Sequence, residues 1–394
     1  MMNPAPLGDM PLNTFLSKYW QKKPLLIRNA IPNVTPPVAA DVLAGLACEE
    51  EVESRIVMQD IISNEWKLKH GPFNDEYFST LPASHWTLLV QAVDHWLPEA
   101  AKFLDLFTFI PRWRIDDLMV SYASDGGGVG PHFDNYDVFL VQTNGKRKWQ
   151  VGTLYDESSS LIDNLPVSIL SEFKAVDTWV LEPGDILYVP PGFGHNGIAV
   201  GDDCITCSVG FRAPSHSEIL REFTDHISED ISDTLRYSDA DLIKQSNTGE
   251  VSSQAITKVQ KILQHYIQDT DSVNDWFGRY MTMPKYPQDN DISLSLSNDA
   301  PDDTYNLKSL TTHLAAGGKL IRNESSRFAY ICQPENHFLF VDGENISNLS
   351  NVNPLIETLC SKIEINNEMF PQTDNNFNLL LMLLQRGALY ASDT

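Results

Sequence analysis

The sequence predicts an α+β chain built round an antiparallel β barrel or sandwich, with helical segments before and after it. Three observations predict this. Between Ile115 and about Phe211, short apolar stretches alternate with glycine and proline turns: DLMVSY, YDVFLVQ, KRKWQVG, TWVLEPGDILYVPPG and ITCSVGF. The flanking regions instead carry apolar residues at helical spacing. The 394 residues also exceed a usual single domain, so two or three domains are expected.

In chain order, FLSKYWQKKPLLIRNAI reads as an amphipathic helix through Trp20 and a short strand after Pro24. Proline ends the helical pattern, and Leu25, Leu26 and Ile27 are apolar. Helical patterns return in Ala39 to Leu46 and in His85 to Trp96, and the strand-rich region follows. Beyond Ala213-Pro214, SEILREFTDHISEDI and SSQAITKVQKILQHYIQ read as two long helices. Their apolar residues (Ile219, Leu220, Phe223, Ile227, then Ile256, Val259, Ile262, Leu263) recur at three and four residues. Such faces either cover the chain's own barrel or pair two subunits, and a homodimer is the expectation. The polar linker DNDISLSLSNDAPDD opens a last texture: a helix in NLKSLTTHLAAG, a hairpin-like pair in FAYICQ and HFLFVDG, and a final helix in NFNLLLMLLQRGALY. That order suggests a small winged-helix-like module. The expected partition is a barrel domain at 1–214, a helical dimerisation region at 215–285 and a winged-helix-like domain at 286–394.

Fifty-three acidic against 28 basic side chains give a formal charge of −25. A surface so negative repels phosphate backbones, so no direct binding to nucleic acid is expected. It serves solubility or attracts a basic protein. No run of about twenty apolar residues offers a membrane span, and MMNPAPLGDMPLNTF has no basic region followed by an apolar one, so a cytoplasmic protein is expected. The five cysteines are few and scattered, as in a reducing compartment. Cys204 and Cys207 form a CxxC, but no second pair completes a zinc site and no helix N-terminus activates a thiol. CITCSVGF reads instead as a buried strand.

The chemistry concentrates in GPHFDNYDVFLVQTNGKRKWQVG, Gly130 to Gly152. Read as a strand, this segment puts His132, Asp134 and Tyr136 on one face. A second histidine, His195, ends EPGDILYVPPGFGH, where a tight turn, a strand and a PPGFG loop deliver it. A barrel brings such distant strands side by side. Two histidines and one carboxylate leave open metal positions, the arrangement of non-haem iron(II) oxygenases. Zinc accepts the same set, although hydrolytic zinc sites usually keep a general base beside the bound water, and none stands at fixed spacing here. The other histidines lack paired ligands.

An oxygenase that activates dioxygen needs electrons, and a keto acid chelating the metal is a common source. Its distal carboxylate needs a cation inside the barrel. On the strand Gly145 to Val151, Arg147 shares a face with Trp149 and Val151, so Arg147 rather than Lys146 or Lys148 is the candidate. The plain alternative is a basic hairpin tip in solvent.

These residues resemble the JmjC-type 2-oxoglutarate oxygenases, in particular the bacterial ribosomal oxygenases that hydroxylate an arginine of large-subunit ribosomal protein L sixteen. The resemblance rests on PHFDNYDVFLVQTNGKRKWQVG and EPGDILYVPPGFGH, with YWQKKPLLIRNA, HGPF, WTLLVQAVDHW, WRIDDLMVSY and SVGFRAP around them. It covers about the first 215 residues, and the later segments agree in layout. It implies a double-stranded β-helix (a jelly-roll or cupin-like barrel), a helical dimerisation region and a winged-helix-like C-terminal domain. It further implies Fe(II), 2-oxoglutarate and dioxygen as cofactor and cosubstrates, with His132, Asp134 and His195 as ligands, Arg147 on the distal carboxylate and Ser121 close to it.

If Ser121 faces the barrel, period two puts Asp117 and Met119 at its mouth. A carboxylate, a thioether and the Tyr136 ring then make a pocket for an arginyl side chain of a basic ribosomal protein, or else simply pack the rim. The chain departs from the family pattern at Thr206 and Cys207, where related enzymes carry Asn and Tyr, leaving Ser208 as the residue assigned on that strand. A histidyl hydroxylase of the same family and a non-catalytic metal-binding cupin module are the competing readings.

Overall fold

The computed structural model describes residues 5–63, 65–163, 165, 167–286, 305–334, 336–346, 349–350 and 354–392. The expected polar linker lies outside the described residues. The chain divides into two compact units, Met1–Ala213 and Pro214–Thr394.

In the first unit, α1 (Leu12–Lys18), β1 (Leu25–Ile27) and α2 (Ala40–Leu46) stand where proline and apolar spacing require. Phe15 of α1 is fully buried, its ring 5.1 Å from Tyr188 and 5.7 Å from Phe139, which ties the N-terminal helix to the barrel. Then come β2 (Ser54–Asp60), β3 (Glu65–His70), α3 (Asp75–Ser79) and β4 (Trp86–Val90).

The helix expected over His85 to Trp96 is therefore a strand followed by a 3-10 turn at Val93–His95. Thr87, Leu88, Leu89 and Val90 are all buried, because β4 lies between β2 on one side and β5 (Ile115–Ala123) on the other. A strand covered on both faces carries a continuous apolar run, which resembles a short helix segment in sequence.

After α4 (Pro98–Phe103) and β5 come β6 (Val138–Leu154), β7 (Asp177–Leu181), β8 (Ile186–Val189) and β9 (Phe193–Phe211). YDVFLVQ and KRKWQVG are two halves of the single strand β6. Among the described residues, the sheet order is β1-β8-β6-β9-β5-β4-β2-β3 with β7 also on β6, all antiparallel. The two long strands β6 and β9 shift register between Gln142 and Lys146. Consequently Val138–Val141 pairs with β8 and the second half of β9, while Arg147–Val151 pairs with β7 and its first half. One strand thereby serves both layers of the barrel.

Alternation decides what each face buries. Leu118, Val120, Phe139, Val141, Ile205, Cys207 and Val209 join the large core under the helices, whereas Val138, Leu140, Trp149 and Val151 pack with Leu181, Leu187 and Val189. Truncating a fully buried ring such as Phe139 to alanine costs about 3–5 kcal/mol.

The second unit begins with α5 (His216–Ser228), whose N-terminus is closed by a capping box between Ser215 and Glu218. It continues with α6 (Ser253–Ile267), α7 (Thr270–Thr282) and α8 (Leu307–Ala315). The remaining elements are β10 (Lys319–Arg322), β11 (Phe328–Cys332), β12 (Asn336–Val341), β13 (Glu344–Asn345), β14 (Leu349–Ser350), α9 (Pro354–Ser361), β15 (Glu364–Ile365), α10 (Asp374–Gln385) and β16 (Leu389–Ser392). β11 and β12 form the antiparallel pair read from the sequence. Helix α7 packs on that pair: a Cβ at Gly278 would lie 2.4 Å from the Phe340 ring, and Asn345 Nδ2 donates to Asp275 Oδ1 at 2.7 Å.

Candidate active site

The segment carrying His132 and Asp134 is not a strand, contrary to expectation. His132 makes a single antiparallel bridge to His195, with His132 N donating to His195 O at 3.0 Å and His195 N to His132 O at 2.8 Å. Upstream, Gly126 and Gly127 pair by backbone with Ala199 of β9. Gly128 lies so close to that strand that a Cβ would sit 2.6 Å from Gly197 O, which explains a glycine there. Gly192 N, at a φ of +79° in the PPGFG turn, donates to Asp134 O at 2.8 Å. The two sequence motifs thus hold each other by backbone, and this tethering rather than strand alternation brings His132 and Asp134 together.

Ligand atoms of His132, Asp134 and His195 all lie within 4.8 Å of one another. His195 Nε2 is 3.5 Å from Asp134 Oδ2, and the two imidazole centroids are 4.3 Å apart. His132 Nδ1 sits 2.9 Å from Gly130 O, and His195 Nδ1 3.0 Å from Phe193 O. A carbonyl can only accept, so each Nδ1 carries the proton and each Nε2 offers a lone pair. Burial, and next the neighbouring His132, hold the His195 pKa well below its ordinary value against the opposing pull of Asp134. A neutral imidazole is the form that ligates a metal.

Arg147 faces inward with Trp149, as alternation requires, and is 4% exposed. Its Nε donates to Cys204 Sγ at 3.4 Å, and its guanidinium lies 5.9 Å from the Trp149 ring centroid. Its Nη2 has no hydrogen-bond partner among the described residues, and neither has Trp149 Nε1. Trp149 in turn lies 5.8 Å from the His195 ring. A buried cation with an unsatisfied donor suits an anionic group. The solvent-exposed hairpin tip is excluded for Arg147.

Ser121 and Ser208 are both buried, Ser121 Oγ donating to Thr206 O at 3.4 Å. Met119 stands opposite Ser208 across β5 and β9. Asp117 is buried, and its Oδ2 accepts from Gln91 Nε2 at 2.6 Å and Ala92 N at 3.0 Å. A Cβ added at Gly210 would lie 3.7 Å from Asp117 Oδ1 and 3.9 Å from Tyr136 Cε2. Asp117 and Tyr136 therefore border one space beside Gly210. Tyr136 is 43% exposed, with its hydroxyl end buried beside Asp134. Burial of that end, then the charges of Asp134 and Asp117, raise its pKa, with Arg55 opposing. Arg55 also reaches Met119 Sδ at 4.0 Å.

The CxxC is a pair of alternating strand residues. Cys204 packs with Ala123 and Ala199, while Cys207 belongs to the large core, where burial pushes its thiol up to about 12. Sequence reading missed Cys204, Gln142, Gln91 and Arg55 as neighbours of the site. For Cys204 the signal was present: the alternation that turns Ser208 inward also turns Thr206 and Cys204 inward.

A family model described as a JmjC domain matches residues 102–219, and one described as a ROXA-like winged helix matches 264–390. The chain is 35% identical over 372 residues to the ribosomal protein uL16 3-hydroxylase of Escherichia coli, covering 94% of each. It belongs to the JmjC ribosomal oxygenases. A probable ribosomal oxygenase of Haemophilus influenzae is 37% identical, over 67% of this chain and 66% of that protein. The X-ray structure of E. coli ycfD superposes with a TM-score of 0.87 at 32% identity, covering 98% of this chain and 99% of that one. A structure of YcfD from E. coli in complex with cobalt and 2-oxoglutarate superposes with a TM-score of 0.84 at 31% identity, over 98% and 99% of the two chains. Within this family the antiparallel barrel and the winged-helix module are the shared architecture. The winged-helix match begins upstream of α7, in keeping with the packing of α7 on the β11–β12 pair.

Proposed function

We propose that the chain is an Fe(II)- and 2-oxoglutarate-dependent dioxygenase that hydroxylates an arginyl side chain of a basic large-subunit ribosomal protein. The observation that carries this is the placement of the His132, Asp134 and His195 ligand atoms within 4.8 Å, on a barrel whose buried Arg147 keeps Nη2 unpartnered among the described residues. His132, Asp134 and His195 would hold the iron; Arg147, together with Ser121, would receive the distal carboxylate of the keto acid. When bound, iron, keto acid and dioxygen supply the oxidant that removes a hydrogen from carbon. The protein's part is to hold that carbon in place and to exclude water.

Asp117, Met119, Tyr136 and Ser208 are the candidate substrate residues. Asp117 attracts a guanidinium, and the Tyr136 ring covers its methylenes. The charge of −25 favours encounter with a basic protein. The E. coli relative's name specifies uL16 and position 3, and we extend both to this chain. No helix among the described residues is long and apolar enough to cross a membrane. A ribosomal substrate supports a reaction in the cytoplasm.

Mass spectrometry of ribosomal proteins from cells with and without the gene tests the substrate. A gain of one oxygen on a uL16 arginine is expected, and its loss on deletion. A relative named bifunctional lysine-specific demethylase and histidyl-hydroxylase NO66, that of Brugia malayi, matches 19% of the chain at 33% identity over 81 residues. A histidyl pocket needs no carboxylate, so the place of Asp117 favours arginine. Oxygen on histidine would reverse that choice. Succinate release separates the enzyme from a metal-binding module without turnover.

A further inference from the structure

We propose that Cys204 is a positioning residue for the cosubstrate: its sulfur holds the Arg147 guanidinium in the orientation that receives the distal carboxylate of 2-oxoglutarate. This rests on the reading of Arg147 given above.

Arg147 Nε donates to Cys204 Sγ at 3.4 Å, while Nη2 of the same guanidinium has no partner among the described residues. The planar fork therefore has its Nε end fixed and a terminal nitrogen waiting. Both residues are buried, Arg147 at 4% and Cys204 at 0% exposure, so water does not compete for the sulfur. Ala123 and Ala199, both small and buried, pack with Cys204, which leaves the thiol little freedom to turn away.

The sulfur is itself held. Gln142 Nε2 donates to Cys204 Sγ at 3.4 Å and to Asn144 O at 2.6 Å, and Gln142 Oε1 accepts from Thr206 Oγ1 at 3.0 Å. A chain thus runs from Thr206 through Gln142 to Cys204 and Arg147, across the register shift of β6. The Thr206 hydroxyl supports the arginine's orientation from behind.

A weak sulfur acceptor suits this task. It orients Nε without neutralising the charge, as a carboxylate would, so the full cation remains for the ligand. The guanidinium then loses less rotational freedom when the cosubstrate arrives.

The test uses the full chain loaded with cobalt(II), titrated with 2-oxoglutarate and with 2-oxopentanoate, which keeps the chelating end but lacks the distal carboxylate. Binding is read by calorimetry, so no turnover is needed. Cys204→Ala should weaken 2-oxoglutarate about fivefold, the worth of one ordinary hydrogen bond, and leave 2-oxopentanoate unchanged. Cys204→Ser should stay within about twofold of the parent, since a hydroxyl also accepts from Nε. Arg147→Ala should lose the preference for 2-oxoglutarate over 2-oxopentanoate. If Cys204→Ala binds 2-oxoglutarate as the parent does while Arg147→Ala does not, positioning by the sulfur is wrong and the role of Arg147 stands. If Cys204→Ala weakens both ligands equally, the cysteine only packs the cavity and the proposal fails. If Arg147→Ala keeps the preference, the proposal fails together with the reading on which it rests.

Discussion

The imidazoles of His132 and His195 stand tilted by 56° with centroids 4.3 Å apart, joined by a two-hydrogen-bond backbone bridge and each fixed through Nδ1 by a carbonyl. Their positions are thus set by main chain before any metal arrives. That is the preorganisation a metal site requires, because ligands that must be gathered on binding lower affinity by the ordering they undergo.

Replacing Asp134 should therefore remove function without removing the fold. Asp134→Ala is expected to bring succinate release below detection and to shift Tm by no more than about 2–4 °C, since the backbone contact from Gly192 persists. Succinate assays and thermal melts of the same preparation check both halves. Continued succinate release would rule out Asp134 as a ligand.

The metal-free protein should lose stability on mild acidification. His195 is held below its ordinary pKa of 6.5, at about 4, by burial and by His132. Between those values the unfolded chain binds more protons than the folded one, so this stability is present above about pH 6.5 and is lost as the pH falls toward 4. Melts in chelator across that window, for the parent and for His195→Asn, measure it. Superimposable profiles would show that His195 does not contribute.

Charge removal at Asp117 should separate substrate hydroxylation from cosubstrate turnover. Asp117→Asn still accepts a hydrogen bond near Gln91 and Ala92 but loses the charge proposed to meet a guanidinium. Hydroxylation should fall roughly 10- to 100-fold, for a charge-assisted bond of about 1.5–3 kcal/mol, with uncoupled decarboxylation of 2-oxoglutarate little changed. Equal loss of both activities would assign Asp117 to the scaffold alone.

Gly210 offers a second route into the same pocket. A methyl there meets Asp117 Oδ1 at 3.7 Å and Tyr136 at 3.9 Å, ordinary contacts that the fold tolerates. Gly210→Ala should nevertheless occupy the space between them and cut hydroxylation about tenfold or more, as one methyl group does in a fitted pocket. Unchanged hydroxylation would place the substrate side chain elsewhere.

Leu220 on α5 and Ile256, Val259, Ile262, Leu263 and Ile267 on α6 are each at least 43% exposed. A homodimer at micromolar concentration is the expected outcome of sedimentation, and Ile256→Glu with Leu263→Glu should dissociate it. A monomeric parent chain would defeat the proposal.

From sequence alone, the residue types of the site and the faces of its regular strands were legible. Alternation on one strand predicted that Arg147 shares the inward face with Trp149, and the PPGFG turn marked His195 at a strand's end. These are local properties, written in spacing. Tertiary structure decided the rest. His85 to Trp96 resembles a helix because β4, paired on both edges by β2 and β5, buries Thr87 to Val90 without alternation, and only its neighbours distinguish the two. His132 and Asp134 converge through hydrogen bonds to Gly192 and His195, residues distant in the chain, rather than through the strand period that suggested them. The contact of Cys204 with Arg147 likewise spans 57 positions and depends on how β9 pairs with β6 across a register shift. Spacing along a chain states which side of a strand a residue occupies, but which other side chain meets it there is set by long-range pairing.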